Sequence, residues 1–600
     1  MMRLTFHAAL ALAAFLAPLL ASRYGGGALG RPLFDAPWLA LQFANVVVGT
    51  ALLAAAVALV LRQRRPDRRG VSAAPAIALC AGAFGLALAL KMDSGVSSDV
   101  LFFGLLPASD AQNYYDGAMT YLATGRLSEW TTRRPFSALQ LAGLFTLTGD
   151  GLRRTVALLS AACAAGSLLV LWPLFRRFGF ASAAAAFAAL FAFIHLTLGT
   201  TMSESLGFAL GCAGFALLAD AAFSGRRALA LAGLTILSFG LATRAGALFV
   251  LPALALWCGW RFRAGNAALS WRMTGLGLAA GAAGFVANKA LVTFAGMPGQ
   301  IAFGNFSFTL YGLAIGGESW TRFFADFPQY LALSEGEQAA AAYRAALAHM
   351  QAAPFDLIKG AAARYNDFLI NTGWHKYVPN MLLRGFILLL ALIGVIACWR
   401  TRSANLSALL LAALAGILLS VPFLGDGGSR VYAATHPFSA AFVAVGAYVV
   451  QRWLAKTPFA ARTPPAGAPL LAGVFGLLLL LPVGLALLHA PSGAAAANRS
   501  CADGDESFGG RIASAVTICP TGAAGCIGLR AESVQATNIW KNPLIGRVAG
   551  DAPVQIGLAV SSVMPPVWLA APLSAPLLRG PMAVCLRRDP ESPALATLRP

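Results

Sequence analysis

Apolar residues along this chain come in solid runs of about 16 to 24 rather than in alternation. At ~1.5 Å per helical residue, such runs match a hydrocarbon layer ~30 Å thick. Outer-membrane barrels instead show ten-residue alternation. About thirteen spans are read, at 4–20, 38–61, 74–91, 155–175, 182–200, 204–222, 227–242, 245–260, 274–295, 381–399, 404–424, 437–453 and 468–489. The first has the apolar run of a signal peptide, but a second span follows closely, so it is read as a retained anchor. The run "FSALQLAGLFTLTG" at 136–149 is too short to cross and is read as lying in the interface or dipping partway in.

Three polar segments, 92–154, 296–380 and 490–600, are too large to be simple connectors. The middle one has helical composition. The last carries "VQIGLAVSSVMPPVWLAAPLS", whose Gly, Pro and β-branched residues suggest strands. The expected fold is an all-α polytopic membrane protein of about 13 transmembrane helices, with amphipathic helices on the outer face and a small mixed or β-rich C-terminal extracytoplasmic domain. Its parts are two N-terminal helices (1–73), a transmembrane module (74–295) with its outer loop, a helical loop (296–380), further transmembrane helices (381–489) and the soluble domain (490–600).

Composition sharpens this picture. A mean hydropathy of +0.70 over 600 residues, with 58% hydrophobic and 11% charged residues, excludes an ordinary soluble protein. The 44 Lys and Arg against 24 acids would suggest nucleic acid in a soluble chain. Here the cations cluster at span ends ("RQRRPDRRG", "GRR", "RFR", "RTR"), all on one side of the count, so no nucleic-acid partner is expected. The positive-inside rule makes that side cytoplasmic, together with the N-terminus, in a cytoplasmic (inner) membrane. Thirteen crossings put the C-terminal domain in the periplasm or outside the cell. Cys80, Cys163, Cys212, Cys258 and Cys398 fall in apolar runs and read as packing residues. Cys501, Cys519, Cys526 and Cys585 fall in the C-terminal region, where an even set of four suggests two disulfides in an oxidising compartment.

The candidate chemistry lies on the outer side. In "SDAQNYYDGAMTYLATGRL", Ala111, Tyr114, Tyr115, Ala118, Tyr121 and Leu122 share one helical face, with Asp110, Gln112, Asn113 and Asp116 largely on the other. Such a helix is either an interfacial helix with solvated acids or a platform that presents carboxylates for reaction. Glu204 in "TTMSESLGFALG" opens a span. It is either wet and favoured by the helix N-terminus, or a second acid converging on the cavity of Asp110. Arg244, Lys289 and Arg430 are isolated cations that need anionic partners, either internal acids or a lipid phosphate, which the planar arginine fork grips well. Arg133 and Arg134 in "RRPF" fit headgroup contacts. His375, in "NTGWHKYVP", belongs to a cluster that also reads as an aromatic belt with a snorkelling lysine.

The order of these motifs resembles the GT-C superfamily of membrane glycosyltransferases, in the style of protein O-mannosyltransferases and the lipid A aminoarabinose transferase. The segments that carry the resemblance are "SDAQNYYDGAMTYLATGRL", "RRPFSALQLAGLFTLTGDGLRRTVALLSAACAAGSLLVLWPLFRRFG", "TMSESLGFALGCAGFALL" and "GLATRAGALFVLP". It covers residues 74–260 well and 260–455 loosely. It implies Asp110 as the catalytic base, Glu204 as a second acid where relatives often have Asp, and Arg244 and Arg430 as phosphate holders. The implied partners are a polyprenyl-phosphate sugar donor, a glycan, lipid or protein acceptor, and membrane lipids. A divalent metal is possible, since some relatives use one, but the sequence offers no decisive ligand set. Two other readings stand beside this one, a transporter or flippase of lipid-linked sugars and a non-catalytic assembly subunit. Transporters place functional acids mid-span, and these spans carry almost none.

Overall fold

A computed structural model describes residues 2–24, 37–64, 73–95, 97–102, 104–300, 302–378, 380–424, 428–455, 468–491, 501–519, 527–528, 554–560, 567–572, 580–589 and 592–599. Each of the thirteen expected spans overlaps a helix, but only some of these helices have the length and apolar composition of a crossing. Among the described residues, seven helices are long and apolar enough to cross a membrane: Ala74–Ser94, Leu152–Phe178, Ser203–Ser224, Trp271–Ala295, Met381–Arg400, Asn405–Phe423 and Pro469–Leu488. Four more apolar helices, Phe6–Ser22, Gln42–Ala58, Phe180–Ile194 and Arg227–Thr243, are shorter. The chain is a helical, multi-pass membrane protein.

Two expectations change. The span expected at 245–260 begins late, at Val250, because the preceding residues form an irregular segment that brings Gly246 against the carbonyl of Val431. The twelve residues that remain reach only ~18 Å. The segment at 136–149 forms the helix Pro135–Thr148, but it is buried on every side until its last turn, where Thr146 and Leu147 emerge. It packs tightly enough on the Ala468–Leu488 helix that Gly143 meets the Pro482 carbonyl with no room for a Cβ. Its solid apolar composition therefore serves a protein core rather than a membrane surface.

The bundle is organised around Ser203–Ser224, of which nineteen of 22 residues are buried. Small residues let its neighbours approach. A Cβ at Gly240 would stand 3.2 Å from the carbonyl of Gly207, and one at Gly211 would collide with the carbonyl of Ala434. This helix is ~33 Å long and separates two chemically different ends. At the end away from Glu204, the Arg177 guanidinium lies 5.6 Å from the Phe223 ring and Arg261 reaches Gly225.

At the Glu204 end sit the loop helices, the short antiparallel pair β1 (Leu101–Phe102) and β2 (Leu106–Pro107) just before the Asp110 helix, and the C-terminal domain. In that domain β3 (Glu506–Cys519), β5 (Val554–Val560), β6 (Val567–Pro572), β7 (Gly580–Asp589) and β8 (Ser592–Arg599) form a sheet, with the short β4 (Ile527–Gly528) beside β3. The order is β3-β5-β6-β8-β7. The long β3 pairs with β7 through its first half and with β5 through its second, shifting register between Ala513 and Val516. The sheet thus closes on itself with one parallel pair in the ring, β6 with β8. That is the connectivity of the five-stranded Greek-key barrel called the OB-fold.

The barrel turns the Ile556, Leu558 and Trp568 face toward the bundle, and all three belong to its main core. Trp568 stacks on Tyr115 with ring centroids 5.9 Å apart. Cys501 and Cys585 form a disulfide. The side chain of Cys519 and all of Cys526 lie outside the described residues. Cys163, Cys212, Cys258 and Cys398 are buried and Cys80 is half-buried, all as free thiols.

Candidate active site

The Ser109–Thr124 helix buries the face expected of it, since Ala111, Tyr114, Tyr115, Ala118, Tyr121 and Leu122 are all inaccessible. Its other face is half-buried, with Asp110, Gln112, Asn113 and Asp116 each partly open to solvent and Ser109 exposed. Ser109 takes a left-handed φ of 51° immediately before Asp110, so the chain turns sharply into the helix at that residue.

Asp110 and Glu204 each occupy the first turn of a helix, where the backbone dipole favours a carboxylate. Arg244 caps the C-terminus of Arg227–Thr243, the end that favours a cation. Helix crossings at Gly207 and Gly240 bring the two ends together. The Thr201 hydroxyl donates to the Ala111 carbonyl at 2.5 Å and ties the Glu204 strand of chain to the Asp110 helix.

The result is a chain of charges. Arg430 Nη2 stands 2.9 Å from Asp110 Oδ2, and Arg430 Nε stands 3.7 Å from Glu204 Oε1. On its other side Glu204 Oε1 is 3.6 Å from Arg244 Nε. The Tyr114 hydroxyl lies between two further guanidinium contacts, to Arg134 Nη1 at 2.8 Å and to Arg244. Trp130 packs edge-on against Tyr114 and offers its ring to Arg134.

Glu204 and Arg244 are buried, yet their separation exceeds hydrogen-bond length. Among the described residues, Glu204 Oε1 and Arg244 Nη1 have no hydrogen-bond partner. Such unmet groups are costly unless something else meets them. A small cavity with room for about one water lies nearby, with Ser137, Gln140, Thr201 and Ser203 on its polar side, and the Ser203 hydroxyl donates to Glu204 Oε2 at 3.3 Å.

The sequence missed Tyr377. Its hydroxyl bonds to Ser429 and feels Glu204, Arg430 and Arg244, and its ring meets Phe193 edge-on at 5.2 Å. Burial, and then the Glu204 charge, push the phenol up to about 12. The only sequence signal was the Trp-His-Lys-Tyr cluster itself, which also fits a membrane belt.

Other expected site residues lie elsewhere. Tyr115 is a docking contact for the barrel. Arg133 pairs with buried Glu335 and joins the two loops. Lys289 is exposed on the outside of its helix. His375 is buried beside the backbone of Leu369, and burial with nearby Arg384 lowers its pKa. Asp116 lies apart from the charge chain, hydrogen-bonded by Gln112 at 3.4 Å, and burial raises its carboxyl to about 7.

The described residues here offer no ligand set for a divalent metal. Arg430 stands where a cation would bridge Asp110 and Glu204, and among the described residues no three His, Cys, Asp or Glu gather. No protein-family model matches the chain, and no match is found among curated proteins or solved structures.

Proposed function

We propose that this protein is an integral membrane glycosyltransferase of GT-C type. It would move a sugar from a polyprenyl-phosphate donor to an acceptor hydroxyl at the outer face of a cytoplasmic membrane. The observation that carries this reading is the Asp110–Arg430–Glu204–Arg244 chain at one end of the bundle, with buried Arg244 Nη1 and Glu204 Oε1 left unbonded. Two arginines beside two carboxylates supply what transfer from a phosphate needs. The cations hold the leaving phosphate, and a carboxylate takes the acceptor proton.

Arg430 links the two roles. In the resting protein its guanidinium holds Asp110. An incoming donor phosphate competes for that guanidinium and frees the carboxylate as the base. The acceptor oxygen then attacks the anomeric carbon as the bond to the phosphate oxygen breaks. The proton passes to Asp110, and the electron pair leaves with the lipid phosphate between Arg430 and Arg244. One displacement inverts the anomeric centre and uses no protein nucleophile.

Orientation is supported by the arginines gathered at the end opposite Glu204 and by the disulfide in the barrel. The OB connectivity favours a glycan among the possible acceptors, since such barrels bind oligosaccharides as well as oligonucleotides, although fold alone fixes no ligand. A transporter is less well supported, because the acids stand at helix starts rather than mid-span. The test has two parts. Mass spectrometry of lipid copurifying with the protein should find a polyprenyl-phosphate sugar, and Asp110→Asn in nanodiscs should abolish its transfer. Transfer at the unaltered rate by that variant would remove Asp110 as the base.

A further inference from the structure

The loop between the Trp271–Ala295 and Met381–Arg400 helices contains the helix Pro354–Asp367, which has three chemically distinct sides. Gly360 and Arg364 face the protein. Gly360 sits against the Leu313 carbonyl with no room for a Cβ, and the Arg364 guanidinium donates to the Glu318 carbonyl at 2.5 Å. Asp356 and Lys359 form a solvated ion pair on a second side. The third side is a stripe at helical spacing, Phe355, Ile358, Ala362 and Tyr365, which Leu369 extends in the π turn Phe368–Thr372 that follows. Phe355 is 75% exposed, Ile358 64% and Leu369 68%, so apart from half-buried Tyr365 this stripe is left uncovered by the protein.

Its place in the bundle identifies what covers it. The Tyr365 hydroxyl donates at 2.9 Å to the carbonyl of Leu418, in the last turn of the Asn405–Ser420 helix. Phe368 packs edge-on against Tyr432, two residues from Arg430. The stripe is therefore pinned to the mouth of a membrane span. The exposed side chains of Leu418 and Leu419 carry its apolar surface on down that span. The helix is ~21 Å long and carries a charged side, so it is too short and too polar to cross.

We infer that Pro354–Asp367 lies flat in the bilayer leaflet at the Asp110 end of the bundle. Phe355, Ile358 and Leu369 enter the acyl region, and Asp356 and Lys359 remain in water. The stripe then continues the lipid-facing surface of the spans onto the loop that ends at Tyr377, beside the charge chain.

The full chain, reconstituted in nanodiscs of phosphatidylethanolamine and phosphatidylglycerol, tests this. Phe355→Cys, Ile358→Cys and Lys359→Cys would each carry an environment-sensitive fluorophore, with the unsubstituted protein labelled in parallel as baseline. Lipids spin-labelled just below the headgroup should quench positions 355 and 358 several-fold more strongly than position 359. Equal quenching at all three positions would overturn the inference. So would energy transfer between differently labelled chains at position 358, which would make a second copy the occupant.

Discussion

Arg430 reaches Asp110 across 2.9 Å but stops 3.7 Å from Glu204, although the three residues are spread over 320 positions of the chain. The short contact is half-open to solvent, whereas Glu204 is buried behind it. The Asp110–Arg430 pair is therefore the more accessible end of the charge chain. The inner Glu204–Arg244 pair fixes where Arg430 can stand.

Glu204→Gln is expected to destabilise the protein by about 3–5 kcal/mol, because it strands a buried Arg244 without its counter-charge. Thermal unfolding in detergent measures the loss. Adding Arg244→Met to the same chain should recover part of it, since the stranded charge is then gone. No recovery in the double variant would mean that the two residues are not coupled.

Tyr114→Phe removes one oxygen that serves both Arg134 and Arg244. A buried donor left unmet costs about 1–3 kcal/mol, so a modest drop in melting temperature is expected. If Tyr114 also aims Arg244 at a donor phosphate, sugar transfer should fall further than the stability change accounts for. An unchanged transfer rate in the folded variant would confine Tyr114 to a structural role.

The sequence shows the local features and not the pairings between distant residues. Helical spacing alone placed Tyr114 and Tyr115 on a buried face, because that periodicity is a property of one segment. The partners of Tyr115 and Asp110 are Trp568 and Arg430, and no local pattern points to either. The burial of the Pro135–Thr148 helix is hidden from the sequence for a related reason. A segment apolar all round has no polar face to show whether lipid or protein surrounds it. The closed barrel depends on the register by which β3 serves two neighbours, which turn signals do not encode.

Asp116 gives a pH dependence whose sign can be worked out. Burial raises its folded pKa from 3.8 to about 7, so the folded state favours the protonated form. The stability tied to that proton is complete below the unfolded value and is lost as pH rises through about 7. Asp116→Asn, which keeps the shape and cannot ionise, should therefore raise the melting temperature more at pH 8 than at pH 4. A gain independent of pH would show that Asp116 does not ionise in this range.

The barrel is held by two dissimilar links, and they are expected to fail differently. Trp568→Ala removes the ring stacked on Tyr115 and opens a cavity against the bundle core, a change that typically costs about 3–5 kcal/mol. Its effect should appear at the interface, as faster amide exchange across residues 109–124 with the barrel itself intact. Cys501→Ser instead opens the loop of 84-residue separation closed by Cys585 and acts on the barrel's own unfolding, by about 4.5 kcal/mol for a loop of that size. It should raise protease sensitivity in β3 and β7 and leave the Ser109–Thr124 helix protected. If Trp568→Ala also slowed sugar transfer while Cys501→Ser did not, the barrel would act on catalysis by holding the Asp110 helix through Tyr115. Equal effects of the two variants on exchange at 109–124 would remove that distinction.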